Sequence, residues 1–137
     1  MAKQRKGWMT PLGKTPKPSV PVSITAELEA KATDLIENVL KPKYVLPPKK
    51  DEPFNYITDI GTKWYRNCYY FISTYACLGP NAISPTFDSK FARMEYLGDG
   101  KFDLFFVRHN DKWFALYHDI SVDECMEAIQ NDAWFVP

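Results

Sequence analysis

Apolar residues along this 137-residue chain repeat with two different periods. Between residues 26 and 40, Leu28, Ala32, Leu35, Ile36 and Val39 recur at helical spacing and fall on one stripe, which predicts an amphipathic helix. Ser23 or Thr25 is its expected cap. Glu27 and Glu29 suit the positive end of its dipole, Lys41 and Lys43 the negative end, and Pro42 is the expected stop. From 62 to 78, TKWYRNCYYFISTYACL reads as one long strand with bulky side chains on both alternating faces. The preceding segment, Asn55–Ile60, fits either a helical turn or a strand, and residues 79–90, broken by Gly79-Pro80 and Ser84-Pro85, read as a loop.

The clearest pattern lies in residues 91–132. A strand over Phe91–Leu97 turns at Gly98-Asp99-Gly100 into a strand over Lys101–Arg108. Asn110-Asp111 supplies the next turn, with Asn110 suited to positive φ, and a strand over Lys112–Tyr117 follows. Ser121 and Glu124 are spaced as a capping box, opening a helix whose buried stripe is Val122, Cys125, Met126 and Ile129. The order predicts an α+β fold: an antiparallel sheet of about four strands with a C-terminal helix and an N-terminal helix, preceded by a disordered basic tail. Residues 1–22 form the basic, proline-rich tail, 23–53 the helix and a proline-rich linker, and 54–137 the α+β core domain. A strand that is bulky on both faces favours coverage of both, so the N-terminal helix is expected on the sheet face opposite the C-terminal helix, or swapped onto a neighbouring chain.

Charge changes this picture more than composition does. The formal net charge is zero, yet residues 1–50 carry ten Lys/Arg against four Asp/Glu (+6), and residues 51–137 carry seven against thirteen (−6). Such asymmetry suits a basic arm for an anionic partner, or an arm that folds onto its own domain. No apolar run approaches the ~20 residues that span a bilayer, and the charged N-terminus lacks the apolar stretch of a secretory signal. The three cysteines, Cys68, Cys77 and Cys125, form no CxxC motif and no even-numbered framework, so a reducing cytoplasm is the expected location.

Candidate chemistry is sparse. No nucleophile elbow, phosphate-binding glycine loop or zinc-ligand spacing is present, so no catalytic residue, metal or cofactor is assigned. His109 and His118 read as a turn flank and a strand end. For anion or nucleic-acid contact the candidates are Lys3, Arg5, Lys6, Lys14 and Lys17 on the tail, with Arg66, Arg93 and Arg108 on the sheet. These three arginines either converge on an anion or pair with Glu95 and Asp103, the commoner arrangement on a sheet face. The helix–strands–helix order is that of a double-stranded-RNA-binding domain, but the last helix opens with Ser121-Val122-Asp123-Glu124, where that domain places basic residues. A tyrosine-rich sheet suits base stacking, although buried aromatics are more often core. Trp113 is read as such a core ring.

The segments Phe91-Ala92-Arg93-Met94-Glu95-Tyr96 and Arg108-His109-Asn110-Asp111-Lys112-Trp113, with the tail and Lys41-Pro42-Lys43, resemble small bacterial proteins of unknown function. The resemblance implies a bacterial cytoplasmic protein and carries over no functional residue. The favoured expectation is a non-catalytic binding or interaction module, with a protein partner or homodimer. A nucleic-acid-associated protein using the basic tail is second, and an enzyme third.

Overall fold

A computed structural model describes residues 19–46, 55–76 and 86–137. The basic residues of the tail, the prolines at 47, 48 and 53 and Cys77 lie outside the described residues. The elements are α1 (Val22–Leu35), a π-helical turn (Ile36–Leu40), α2 (Lys41–Tyr44), β1 (Tyr56–Tyr65), β2 (Cys68–Ala76), β3 (Thr86–Gly98), β4 (Lys101–Val107), β5 (Trp113–Ser121), α3 (Val122–Asn131) and a final 3-10 turn (Ala133–Phe135). The strands form one antiparallel sheet in sequence order, β1-β2-β3-β4-β5. The fold is therefore α+β, with five strands in place of about four.

The additional strand comes from the segment read as one long strand. It is a hairpin: Tyr65 pairs with Cys68, and the chain reverses at Arg66-Asn67. Arg66 takes a φ of 60°, a conformation for which glycine is the usual signal, so no glycine announces the reversal. Asn67 holds it through β3. Its carbonyl accepts the Tyr96 N–H at 3.0 Å, and its side-chain amide donates to the Tyr96 carbonyl at 3.3 Å.

The first helix also departs from expectation. It starts at Val22 behind Pro21, so Ser23 and Thr25 lie inside its first turn and no side chain caps it. Pro42 does not stop it. The backbone widens to a π turn, in which the Lys41 N–H reaches the Ile36 carbonyl, and the chain winds on as far as Tyr44. A wider turn makes room for a ring that an α-helical interior would reject. The buried set runs Leu28, Ala32, Leu35, Ile36 and Leu40, with Val39 at its margin. Residues 86–90, read as the end of a loop, instead open β3, which runs Thr86–Gly98 against β2. The opening of α3 follows the sequence pattern. Ser121 Oγ accepts from the Glu124 N–H at 3.2 Å and Glu124 Oε1 from the Ser121 N–H at 2.9 Å, and Val122, Cys125, Met126 and Ile129 are buried. In the β4–β5 turn, Asp111 rather than Asn110 has positive φ; Asn110 Oδ1 instead accepts the Lys112 N–H at 3.2 Å.

Both long helices pack on the same side of the sheet. Trp64, Tyr69, Met94, Leu104 and Tyr117 form one row across β1 to β5. Along it the Trp64 indole N–H donates to Glu29 of α1 at 3.0 Å, and the Tyr117 hydroxyl donates to Asp132, just after α3, at 2.7 Å. Lys31 joins the helices through Asp123 at 2.7 Å. One core, centred on Leu28, Phe71, Met94, Phe102, Leu104 and Ile129, unites α1, α3 and this face. The helix at 22–35 thus shares a face with the C-terminal helix instead of covering the opposite one. The premise that favoured two-sided coverage, a single two-faced strand, gives way to a hairpin.

Candidate functional site

The opposite face is covered by no helix among the described residues. Its central row, offset from the covered row by one residue on β1 to β4 and by two on β5, where the register shifts, is Lys63, Tyr70, Arg93, Phe105 and Ala115. Beside it lie Ile72 opposite Lys90, and Val107 opposite Trp113. The apolar members are half-buried, while Lys63 and Lys90 are exposed.

Rings and cations interleave here. The Arg93 guanidinium lies 4.1 Å from the Phe105 ring centre and 5.7 Å from that of Trp113. The Lys90 ammonium sits 4.8 Å from the Tyr70 ring, which is itself 5.9 Å from Trp113. Partial burial pushes the Tyr70 phenol above its ordinary range. Cation–π contacts of this kind hold the rings in place at about 0.5–2 kcal/mol each. A concavity of about 410 Å³ opens beside them, walled by Lys63, Lys90, Trp113 and their apolar neighbours together with Asp88 and Asp111.

Besides Asp111 in the β4–β5 turn, three carboxylates reach this face, and each is engaged. Glu95 pairs with Arg93 Nη2 at 3.4 Å, and Asp88 accepts the Thr74 hydroxyl at 2.9 Å. Asp103 accepts the Asp119 N–H at 3.1 Å and lies 3.3 Å from His118 Nδ1. By contrast Lys63 and Lys90 have no carboxylate partner among the described residues. The Nε–H of Arg93 is buried without an acceptor. A buried orphan donor costs about 1–3 kcal/mol, so this face is incompletely satisfied as it stands.

Of the candidate site residues, Lys3, Arg5, Lys6, Lys14 and Lys17 lie outside the described residues. The three sheet arginines do not converge. Arg66 sits in the β1–β2 turn, stacked on Tyr65 at 5.1 Å, while Arg108 follows β4 at the other end of the sheet, over Phe114 at 5.0 Å. Arg93 alone stands in the centre of the open face. Sequence reasoning missed Lys63 and Tyr70 as its neighbours because they depend on the hidden β1–β2 hairpin, and Lys90 because the start of β3 reads as loop. His118 lies within β5, and His109 lies in the β4–β5 turn. Among the described residues no group of His, Cys, Asp and Glu is placed to hold a metal ion, and no helix is long and apolar enough to cross a membrane.

These features define a class: a five-stranded antiparallel meander with its helices on one face and a half-buried, cation-studded aromatic face on the other. Residues 20–137 match a domain of unknown function, DUF3024, and the chain belongs to that family. No curated protein and no solved structure matches it.

Proposed function

We propose that the protein is a non-catalytic binding module and that the open sheet face is its contact surface. One observation carries the reading: half-buried rings and the exposed, unpaired Lys63 and Lys90 sit together on a face that no helix covers among the described residues. Aromatic residues and arginine are the side chains that most often anchor interfaces. A cytoplasmic setting suits the cysteine usage, and a bacterial source suits the resemblance of its sequence.

The test is site-specific photocrosslinking in the cells that make the protein. The photoreactive residue p-benzoylphenylalanine is placed at position 113 on the open face or at 127 on the exposed side of α3. Adducts from position 113 and none from 127 are expected. Equal adducts from both, or none from 113, would overturn the reading.

A further inference from the structure

We infer that the occupant of the open face is single-stranded nucleic acid, with bases stacking on Tyr70 and Trp113 and phosphates meeting Lys63, Lys90 and Arg93. The inference rests on the reading of that face as the contact surface. Single strands are bound sequence-tolerantly by π-surfaces flanked by cations, because every base has a stackable face and every nucleotide a charge. Here the two components are interleaved. Lys63 is paired across from Tyr70, and Lys90 lies over its ring. Trp113 is 5.9 Å from Tyr70. Arg93 offers a planar guanidinium, itself a stacking surface for a base.

Charge supports an anionic occupant despite the acidic balance of residues 51–137. Asp123, Glu124 and Glu127 belong to α3, on the far side of the sheet, while three carboxylates of the open face, Glu95, Asp88 and Asp103, are engaged by Arg93, Thr74 and the Asp119 N–H. Lys63 and Lys90 remain without a carboxylate partner among the described residues, in a concavity they share with Asp88 and Asp111. A duplex fits less well, because its bases are already stacked and this face projects no helix or ribbon into a groove.

The experiment is fluorescence anisotropy of labelled oligothymidylate and oligouridylate, about 20 nucleotides long, with the full chain at about 50 mM and about 150 mM salt. The wild type is compared with K63E/K90E, in which both replaced lysines are exposed and outside the core. Binding by the wild type is expected to weaken with salt and to resist competition from a duplex of equal length. K63E/K90E is expected to bind roughly tenfold more weakly, with a log–log salt slope shallower by about 1.4, the value for two lost single-strand phosphate contacts. Trp113→Phe, which keeps a ring, should retain more affinity than Trp113→Leu. Undiminished binding by K63E/K90E would overturn the inference and assign any affinity to the tail. No binding at low salt would also overturn it, and the crosslinks from position 113 then separate the two failures. Adducts to another protein, or to a second copy of this chain, leave the contact surface standing with a different occupant. Absence of adducts removes both.

Discussion

Trp64, Tyr69, Met94 and Leu104 cross the sheet in one row, and their immediate neighbours Lys63, Tyr70, Arg93 and Phe105 cross it in the next. The rows share strands, hydrogen bonds and a taste for aromatic rings, yet Tyr69 is 1% exposed and Tyr70 half-buried. Burial here is decided by where the helices lie, not by which residues have rings. The covered row is packed by α1 and α3. The open row substitutes cations for helices: Arg93 lies on Phe105 and Lys90 on Tyr70, shielding ring faces from water while keeping charge at the surface. A sheet surface stabilised in that way remains available to something else.

The largest expected effect separates the two faces by stability. Phe102 on the covered side is 0% exposed. Phe102→Ala should cost about 3–5 kcal/mol in denaturant unfolding, the range for truncating a core aromatic. Trp113, read from sequence as core, is half-buried on the open side, and Trp113→Ala should cost only about 1–2 kcal/mol, in proportion to the apolar area it hides. Equal losses would erase the distinction and mean that the open face is packed as firmly as the core.

Where the sequence was legible follows from where local signals agree. The β3–β4 turn carries two glycines, and α3 opens with a complete capping box, so strand, turn and helix were readable between 91 and 132. Two other places were opaque for physical reasons. The β1–β2 hairpin turns on an arginine at positive φ and is held by Asn67 contacts to Tyr96, 29 residues away, so no local glycine marks it. The π turn before Pro42 lets a helix continue past a residue that normally ends one. Arg93 was identified from type alone. Its companions Lys63 and Lys90 come from strands two apart, and only the sheet register brings them to one place.

A second prediction uses pH to probe the covered side. Cys125 is fully buried between α3 and the sheet, and burial, with lesser contributions from Glu124 and Asp103, raises its thiol from 9.0 to about 12. The fold therefore keeps the thiol protonated where the unfolded chain ionises. Its contribution is complete below pH 9.0 and is lost as pH rises from there towards about 12. The slope is at most ~1.4 kcal/mol per pH unit. Unfolding free energies of wild type and Cys125→Ala, measured across that window, should converge as pH rises. Parallel curves would mean that Cys125 is reached by water and that the covered face is less dry than the structure describes. Tyr69, also raised by burial, titrates with the same sign in both proteins and cancels in the comparison.

The capping box provides a smaller lever on the same side. Ser121 ends β5 and starts α3, so its side chain sets the angle at which the helix leaves the sheet. Ser121→Ala removes one half of the reciprocal pair and should cost about 1 kcal/mol. Hydrogen exchange should quicken first in the amides of the opening turn of α3. Uniform quickening across the sheet would instead place that turn in the cooperative unit that unfolds globally.

The smallest expected effect is the sharpest test of what the open face is for. Lys63 and Lys90 are exposed, make no ion pair among the described residues, and contribute to the fold only through the contact of Lys90 with Tyr70. Reversing both charges should change unfolding free energy by no more than about 0.5 kcal/mol, as expected for surface positions away from the core. A residue pair retained for stability would behave otherwise. If K63E/K90E unfolds at the wild-type denaturant concentration yet loses affinity for a single strand, the two properties separate on the same pair of side chains, and the cations of this face serve an occupant and not the fold. If stability falls by as much as for Trp113→Ala, the lysines are part of the packing that closes the face, and its openness is only partial.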